Sequence, residues 1–498
     1  MKRRTLTFPL IIAVIFPILF YKQQAGLNVI LLDLLLLALV FYSGRLNFKN
    51  PLMAVVSAGI GLSGIMVLLN GSAIALTVNI VSIILISGLL AAPGITVLMN
   101  GFFSSFLSAF VAPVEYMNSL NRASGTNNSI RKGFRYAVFV IIPILTLLVF
   151  ISMYSAASPY FNRLTGNFMR SLGNLFDGFF RIISPDVLAI GLGGFLIGLI
   201  VLYGRMPSIF DLPGENGEKE LKRTKKWYNG SLIALKTEAR MAQLLFILLN
   251  VALAVMNILD LWYVWINFEW DGGFLKQFVH EGTWLLIFSI LISMALVLWY
   301  MRANLNFYSG NRWLVILIKI WLAQNAILAL SVAVRNFWYT HYFNLAYKRI
   351  WVFAFLILVL FGLITVFIKV RDRKTLRYLL IRNSLAAYII FVVLSFFNWD
   401  LIIARFNINR AEKAFFHTDF MVQLDSNTLP ILIMKPDQMQ RISLAQNKIF
   451  HYYDNYLPLE VYNKRLLERK ILFLEGYPQM KWFEWNLADY LTYQRLKE

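Results

Sequence analysis

The chain has 498 residues, 59% of them hydrophobic and 15% charged, with a net charge of +21 and no cysteine. Soluble domains are about 45–50% apolar and about 25% charged, so an ordinary soluble fold is excluded. The missing thiols exclude disulfides, thiolate nucleophiles and cysteine-ligated metals.

From the N-terminus, Met1-Lys-Arg-Arg4 leads straight into an apolar run. No small-residue cleavage site precedes Tyr21-Lys-Gln-Gln24, so the run reads as a retained span and not as a signal peptide. Eleven spans are expected, at 6–21, 27–42, 51–69, 73–92, 136–156, 183–203, 241–265, 283–300, 313–334, 350–369 and 383–403. Roughly 20 apolar residues cross the ~30 Å hydrocarbon core as a helix. Backbone groups in lipid must bond within the segment, which makes each run helical. The first two are short and belong at a thin or tilted edge. The fold class is therefore all-α: a polytopic transmembrane bundle over 1–406, followed by a small helical domain over 407–498.

Basic residues fix the orientation, because loops on the cytoplasmic side carry the excess of Lys and Arg. With the N-terminus inside, the inner segments hold 25 basic and seven acidic residues, and the outer loops hold eight basic ones. The basic loop 204–240 and the segment 369–382 are then cytoplasmic, and the tail is extracytoplasmic. The charge is a topology signal that also suits anionic lipid head groups, and nucleic acid is not expected as a partner. Two segments read as interfacial. One, near 95–116, follows Pro93-Gly94 and mixes small polar with aromatic residues (FFSSFLSAF); it is either surface-lying or re-entrant. The other, 160–182, repeats Phe and Leu at helical spacing.

Ionisable groups inside spans are costly and mark function by default. Asp33 and Asp260 lie toward the outer interface and Lys319 toward the inner one. Asn250, Asn257 and Asp260 share one face of the seventh span, while Gln324 and Asn325 sit mid-span in the ninth with Lys319 before them. This seam could line a polar path, or it could bond the two helices together. The histidines, His280, His341, His417 and His451, all fall outside and lack tight ligand spacing, so no metal or other cofactor is expected. No phosphate-binding glycine loop, nucleophile elbow or zinc-protease helix is present, and no catalytic residue is assigned.

In the tail, Pro458 starts a helix that Gly476 and Pro478 end, and a last helix is expected from 482 to 496. Three stretches carry a resemblance: Arg335-Asn-Phe-Trp-Tyr339 with Phe343-Asn-Leu-Ala-Tyr-Lys-Arg349, Asn398 to Arg410, and Trp482-Phe-Glu-Trp-Asn-Leu487. From about residue 238 onward the chain resembles a family of bacterial polytopic membrane proteins, the domain of unknown function 4173. Phe343-Asn344 stands where that family carries Tyr-Gly, and Ala404-Arg-Phe-Asn407 matches its Ala-Arg-Tyr-Asn element. The resemblance implies an inner-membrane protein with a helical outer tail, and no reaction.

Read as residues, Arg335, Tyr339, Asn344 and Arg349 lie in an aromatic outer loop suited to the head-group belt. Arg405 could pair with Asp400 or a lipid phosphate, and Asn407 could cap a backbone end. With Trp482, Trp485 and Asn486 they would dock the tail on the outer loops, or bind a ligand there. The leading expectation is a non-enzymatic scaffold, sensor or assembly partner in the bacterial inner membrane, with the C-terminus periplasmic and a membrane or periplasmic protein as partner. A transporter or channel using the seam is second, and a lipid-modifying enzyme third.

Overall fold

The computed structural model describes residues 6–46, 48–123, 184–206, 220–222, 232–268, 274–301, 304–449 and 457–498. The expected fifth span, the segment 160–182 and most of the loop 204–240 lie outside these residues. Among the described residues, eight helices are long and apolar enough to cross a membrane, and two shorter apolar helices precede them. The molecule is a helical membrane bundle.

The N-terminal part comprises α1 (Phe8–Phe20), α2 (Leu27–Tyr42), α3 (Pro51–Asn70), α4 (Ala73–Ala91), α5 (Asn100–Ala123) and α6 (Pro185–Tyr203), packed on one apolar core. The C-terminal part comprises α7 (Leu232–Asp260), α8 (Phe274–Tyr300), α9 (Arg312–Phe343) and α10 (Tyr347–Asp372), around a second core. Between them runs α11 (Leu376–Ser395), which touches α3, α4 and α10. Tyr388 of α11 is the key of this joint. Its ring lies where a side chain on Gly59 would be, and its hydroxyl sits 2.8 Å from Ser82 Oγ.

Helix α1 has only 13 residues, about 20 Å of rise, and cannot span by itself. It is held against α6 through a stripe of small residues, the usual means of close approach in lipid. A Cβ on Gly194 would fall 2.5 Å from Phe16 Cβ, and one on Gly198 would fall 2.9 Å from Pro9 Cα. Pro17 inside α1 has no N–H to donate to Ala13 O, and Gly191 abuts that carbonyl.

We call the end where α1 stops and α2 starts the tail side, and the opposite end the far side. At the far side, cations cover helix C-termini, where unsatisfied carbonyls collect negative potential. Arg45 donates to Leu90 O (2.9 Å), Val201 O (3.1 Å) and Gly204 O (2.7 Å), closing α4 and α6 together. Lys369 donates to Met301 O at 2.8 Å, just past α8.

The segment expected to lie on the surface or re-enter is α5. It runs beside the far-side ends of its neighbours. Ser105 bonds Ser87 near the end of α4, and Tyr116 donates to Leu6 O ahead of α1. Its serines and Asn100 face the bundle while Phe102, Phe103, Phe106 and Phe110 face outward. That is the amphipathicity of a helix whose solvent is lipid.

The last span ends eight residues earlier than its apolar run suggests. It is α11, and a separate helix α12 (Trp399–Asn409) follows. Asn398 makes the break: its Oδ1 accepts from Leu401 N at 3.0 Å, an N-cap that starts a new helix. The tail continues as α13 (Thr418–Met421), α14 (Leu429–Leu432), α15 (Pro436–Ile449), α16 (Leu459–Gly476) and α17 (Leu487–Lys497). The single helix expected from 482 is a short 3-10 turn, Trp482–Glu484, and then α17, because Asn486 caps the latter. Phe416, Leu429, Tyr462 and Leu466 share one core with Ile350, Leu394 and Ile403, so the tail is packed onto the tail-side ends of the bundle.

The α1–α6 contact yields a sharp test. Gly194→Leu should lower the melting temperature in detergent, since overpacking costs roughly 1–3 kcal/mol. Gly193→Leu, next to it but with open space around its Cβ, should leave it unchanged.

Candidate functional site

The intramembrane seam between α7 and α9 is a set of direct helix–helix bonds. Gln324 donates to Asn250 Oδ1 at 2.9 Å, and Asn250 donates to Phe246 O (2.6 Å) and across to Leu317 O (3.1 Å). Two turns further, Asn257 donates to Gln324 O at 3.1 Å. Partners lie 67 to 75 positions apart along the whole seam, the mark of two parallel helices in fixed register. Asn325 is turned back to its own helix, donating to Trp321 O at 2.8 Å, and Lys319 lies over the Phe367 ring, outside the seam. The amide oxygens of Asn257, Gln324 and Asn325 are buried and carry no bond among the described residues.

At the tail-side end, Asp260 pairs with Arg335, both side chains only 5% exposed. Ser331 donates to the other carboxylate oxygen at 2.6 Å. Directly after Asp260 the helix widens into a π-helical turn, Leu261–Ile266. Trp338 fastens this turn by donating to Val264 O at 2.9 Å, and Phe268 stacks on Trp338. A helix irregularity beside a buried ion pair is a common setting for function.

Arg335 and Tyr339 therefore do not lie in an aromatic loop. They are inside α9, which continues to Phe343, because Asp260 and the Arg349 carbonyl give its polar positions Arg335 and Asn336 partners within the bundle. Asn344 ends the helix with φ +64 and ψ −175, a conformation that favours glycine. The turn that the Tyr-Gly element would make thus forms with asparagine. Its side chain donates to Phe415 O at 3.1 Å, tying the turn to the tail. Arg349 closes the same turn by donating to the Phe343 and Asn344 carbonyls, and its guanidinium lies 4.3 Å from the Tyr339 ring centre. Asn407 exchanges two bonds with Leu345, 2.8 Å from its N–H and 2.9 Å to its carbonyl. These residues dock α12 onto the α9–α10 turn.

The pairing of Arg405 with Asp400 is not found. Arg405 is on the exposed face of α12, and Asp400 accepts from Asp425 N and Tyr347. The reason is packing: Ile403 and Ala404 occupy the inner face of that helix, leaving Arg405 outside.

The terminal Trp-Asn motif reaches the first turn of the chain. Gln24 N donates to Glu484 Oε2 (2.9 Å) and Leu27 N donates to Trp485 O (3.0 Å). Gly26 permits this approach, since a Cβ there would lie 2.2 Å from Glu484 O. Asn486 is buried against Gly71, between α3 and α4. The two tryptophans are different: Trp482 is largely exposed and Trp485 is at the rim.

Sequence reasoning missed Ser331, Gly26, Glu484 and the acid cluster beneath the tail. Asp400, Asp425 and Asp489 approach one another there. Burial, with Asp489 and Asp400 nearby, pushes the Asp425 carboxyl up to about 6, against the pull of the Ser426 amide and Arg469. Burial raises Asp489 as well, opposed by its bond from Asn486. Nothing in spacing along the chain announces a meeting of three residues so far apart.

Residues 8–434 match the model of one protein family, described as Domain of unknown function (DUF4153), and the chain belongs to that family. The resemblance drawn from the second half holds at the coarser level, a domain of unknown function, while the numbered family it named is not the one shown. The family is a different one of unknown function, and its match begins in α1, spans both halves and stops before α15. No curated protein and no solved structure matches the chain.

Asp260→Ala should destabilise the protein by about 3–5 kcal/mol, because it strands a buried guanidinium. The Asp260→Leu/Arg335→Leu double variant should recover a large part of that loss in thermal unfolding in detergent. Acidity tests the tail. A carboxyl with a raised folded pKa contributes stability that is full below its ordinary value near 3.8 and disappears as pH rises through about 6. Unfolding of the tail should therefore move to higher temperature between pH 7.5 and 5, by on the order of 1–3 kcal/mol, and Asp425→Asn should flatten that dependence.

Proposed function

We propose that this member of the family is a non-enzymatic protein of the bacterial cytoplasmic membrane whose extracytoplasmic tail is a platform for assembly with another membrane or envelope protein. The observation that carries this reading is the outward face of α16. Leu467, Ile471 and Val461 are exposed there on a helix that is otherwise anchored through Tyr462 and Leu466. A tail held by both halves of the bundle gives such a face a fixed position, as a docking surface requires. The transport reading finds less support. Donor groups of the seam bond to the facing helix, each worth about 0.6 kcal/mol as packing.

Orientation follows the basic residues. The far side carries Arg45, Lys369 and the 369–382 segment, which we place in the cytoplasm, with the tail outside. Absence of native cysteine makes this directly measurable. Lys464→Cys on α16 should react with a membrane-impermeant maleimide in intact spheroplasts, and Arg371→Cys should react only after permeabilisation. The opposite pattern rejects the orientation.

The platform itself is tested by Leu467→Glu/Ile471→Glu, which removes exposed apolar surface and should spare the fold. We expect unchanged expression and melting temperature, with loss of any partner that crosslinks to the parent protein through a photoreactive residue at 467. Retention of that crosslinked partner by the double variant, tested with the photoreactive residue at 464, overturns the reading.

A further inference from the structure

Where the α1–α2 turn meets the tail, a cleft of about 540 Å³ opens between Lys22, Ser426, Arg469, Leu472, Tyr477 and Lys481. Its size is within the range of small-ligand sites. The charge balance inside it is uneven. Glu484 is its acid, but both carboxylate oxygens are committed, one to Gln24 N at 2.9 Å and the other to Lys481 N at 3.0 Å. Arg469 is fixed by carbonyls, donating to Val422 O and Leu424 O, and faces Asp425 behind the cleft. The net positive charge rests on Lys22 and Lys481. Neither is in an ion pair among the described residues. Their ammonium groups lie over the rings of Tyr21 and Phe483, at 5.2 and 5.7 Å from the ring centres.

Lys22 is unusual in a second respect. It takes φ +55 just past the end of α1, a position where glycine costs least. A lysine there carries strain that a glycine would not, and its charge is what the substitution to glycine would lose. Beside the cations the wall is apolar, with Leu472 68% exposed and Phe473 and Met480 adjoining it. The cleft also lies within two residues of the end of the apolar helix α1, where a bilayer around the bundle would bring its phosphates.

We propose that this cleft binds the phosphate of an anionic amphiphile, with Lys22 and Lys481 around the phosphate and Leu472 and Tyr477 against the attached apolar chain. Charge-assisted bonds from two ammonium groups suit a phosphate with no positive group beside it. The apolar wall discriminates in favour of a lipid over the free ion. This inference needs only the docked tail, and it stands or falls separately from the platform reading.

The test uses the purified full chain in uncharged detergent micelles, titrated calorimetrically with dihexanoyl phosphatidylglycerol, dihexanoyl phosphatidylcholine and inorganic phosphate. Phosphatidylglycerol should bind saturably and at least tenfold more tightly than phosphatidylcholine. Lys22→Gly/Lys481→Ala should weaken it at least tenfold, while Lys464→Ala/Lys470→Ala, outside the cleft, should not. Lys22→Gly alone should weaken binding and raise the melting temperature, which separates loss of a ligand contact from loss of the fold. Inorganic phosphate binding as tightly as the lipid would keep the phosphate site and make the free anion its source. Equal affinity for the two lipids, no saturable binding of any probe, or full affinity in the cleft double variant overturns the proposal.

Discussion

Hydrocarbon offers a polar group no water, so every polar atom inside the bundle needs a protein partner or costs free energy. Much of the architecture follows from this. Asp260 finds Arg335 and Ser331, Asn250 finds the backbone and side chain of α9, and Asn79 donates to Asp33 at 2.7 Å between α2, α3 and α4. Arg45 and Lys369 satisfy the carbonyls at which helices end. Each of these bonds joins elements that are not neighbours in the chain. Polar groups thereby set helix register, a task that uniform apolar contact performs poorly because lipid is as apolar as leucine.

The tail obeys the same rule at the membrane surface. Turns between helices leave backbone groups without a helical partner, and the chain from Asn398 onward supplies acceptors and donors to them. Asn407 serves the α9–α10 turn, Glu484 and Trp485 serve the α1–α2 turn, and Asn398 donates to Asn70 O at the end of α3. An apolar core common to α10, α11 and the tail completes the attachment. The tail is thus part of the bundle's own hydrogen-bond economy.

Much of this was legible in the chain, and the reasons differ by residue. Apolar length announces a span whatever its neighbours, so the described spans from 51 onward are placed to within nine residues at either end. Asn250, Asn257 and Asp260 were legible as one face because helical periodicity is local, and Gln324 was legible as mid-span. Their pairing needed the register between α7 and α9, which no local pattern encodes. The same limit hid Ser331 and the meeting of Asp400, Asp425 and Asp489. The break at Asn398 was hidden differently: a window that averages hydropathy passes over a single capping side chain. Asn344 shows the reverse case. The resemblance put asparagine where a Tyr-Gly turn was expected, and the backbone makes the turn with φ +64 in a residue other than glycine.

The bond from Gln24 to Glu484 joins residues 460 positions apart. The turn after α1 therefore cannot complete its amide pairing until Glu484 has been made and docked beside it. A chain cut before Glu484, at Trp482 for instance, would keep its apolar helices and leave the turn after α1 unsealed.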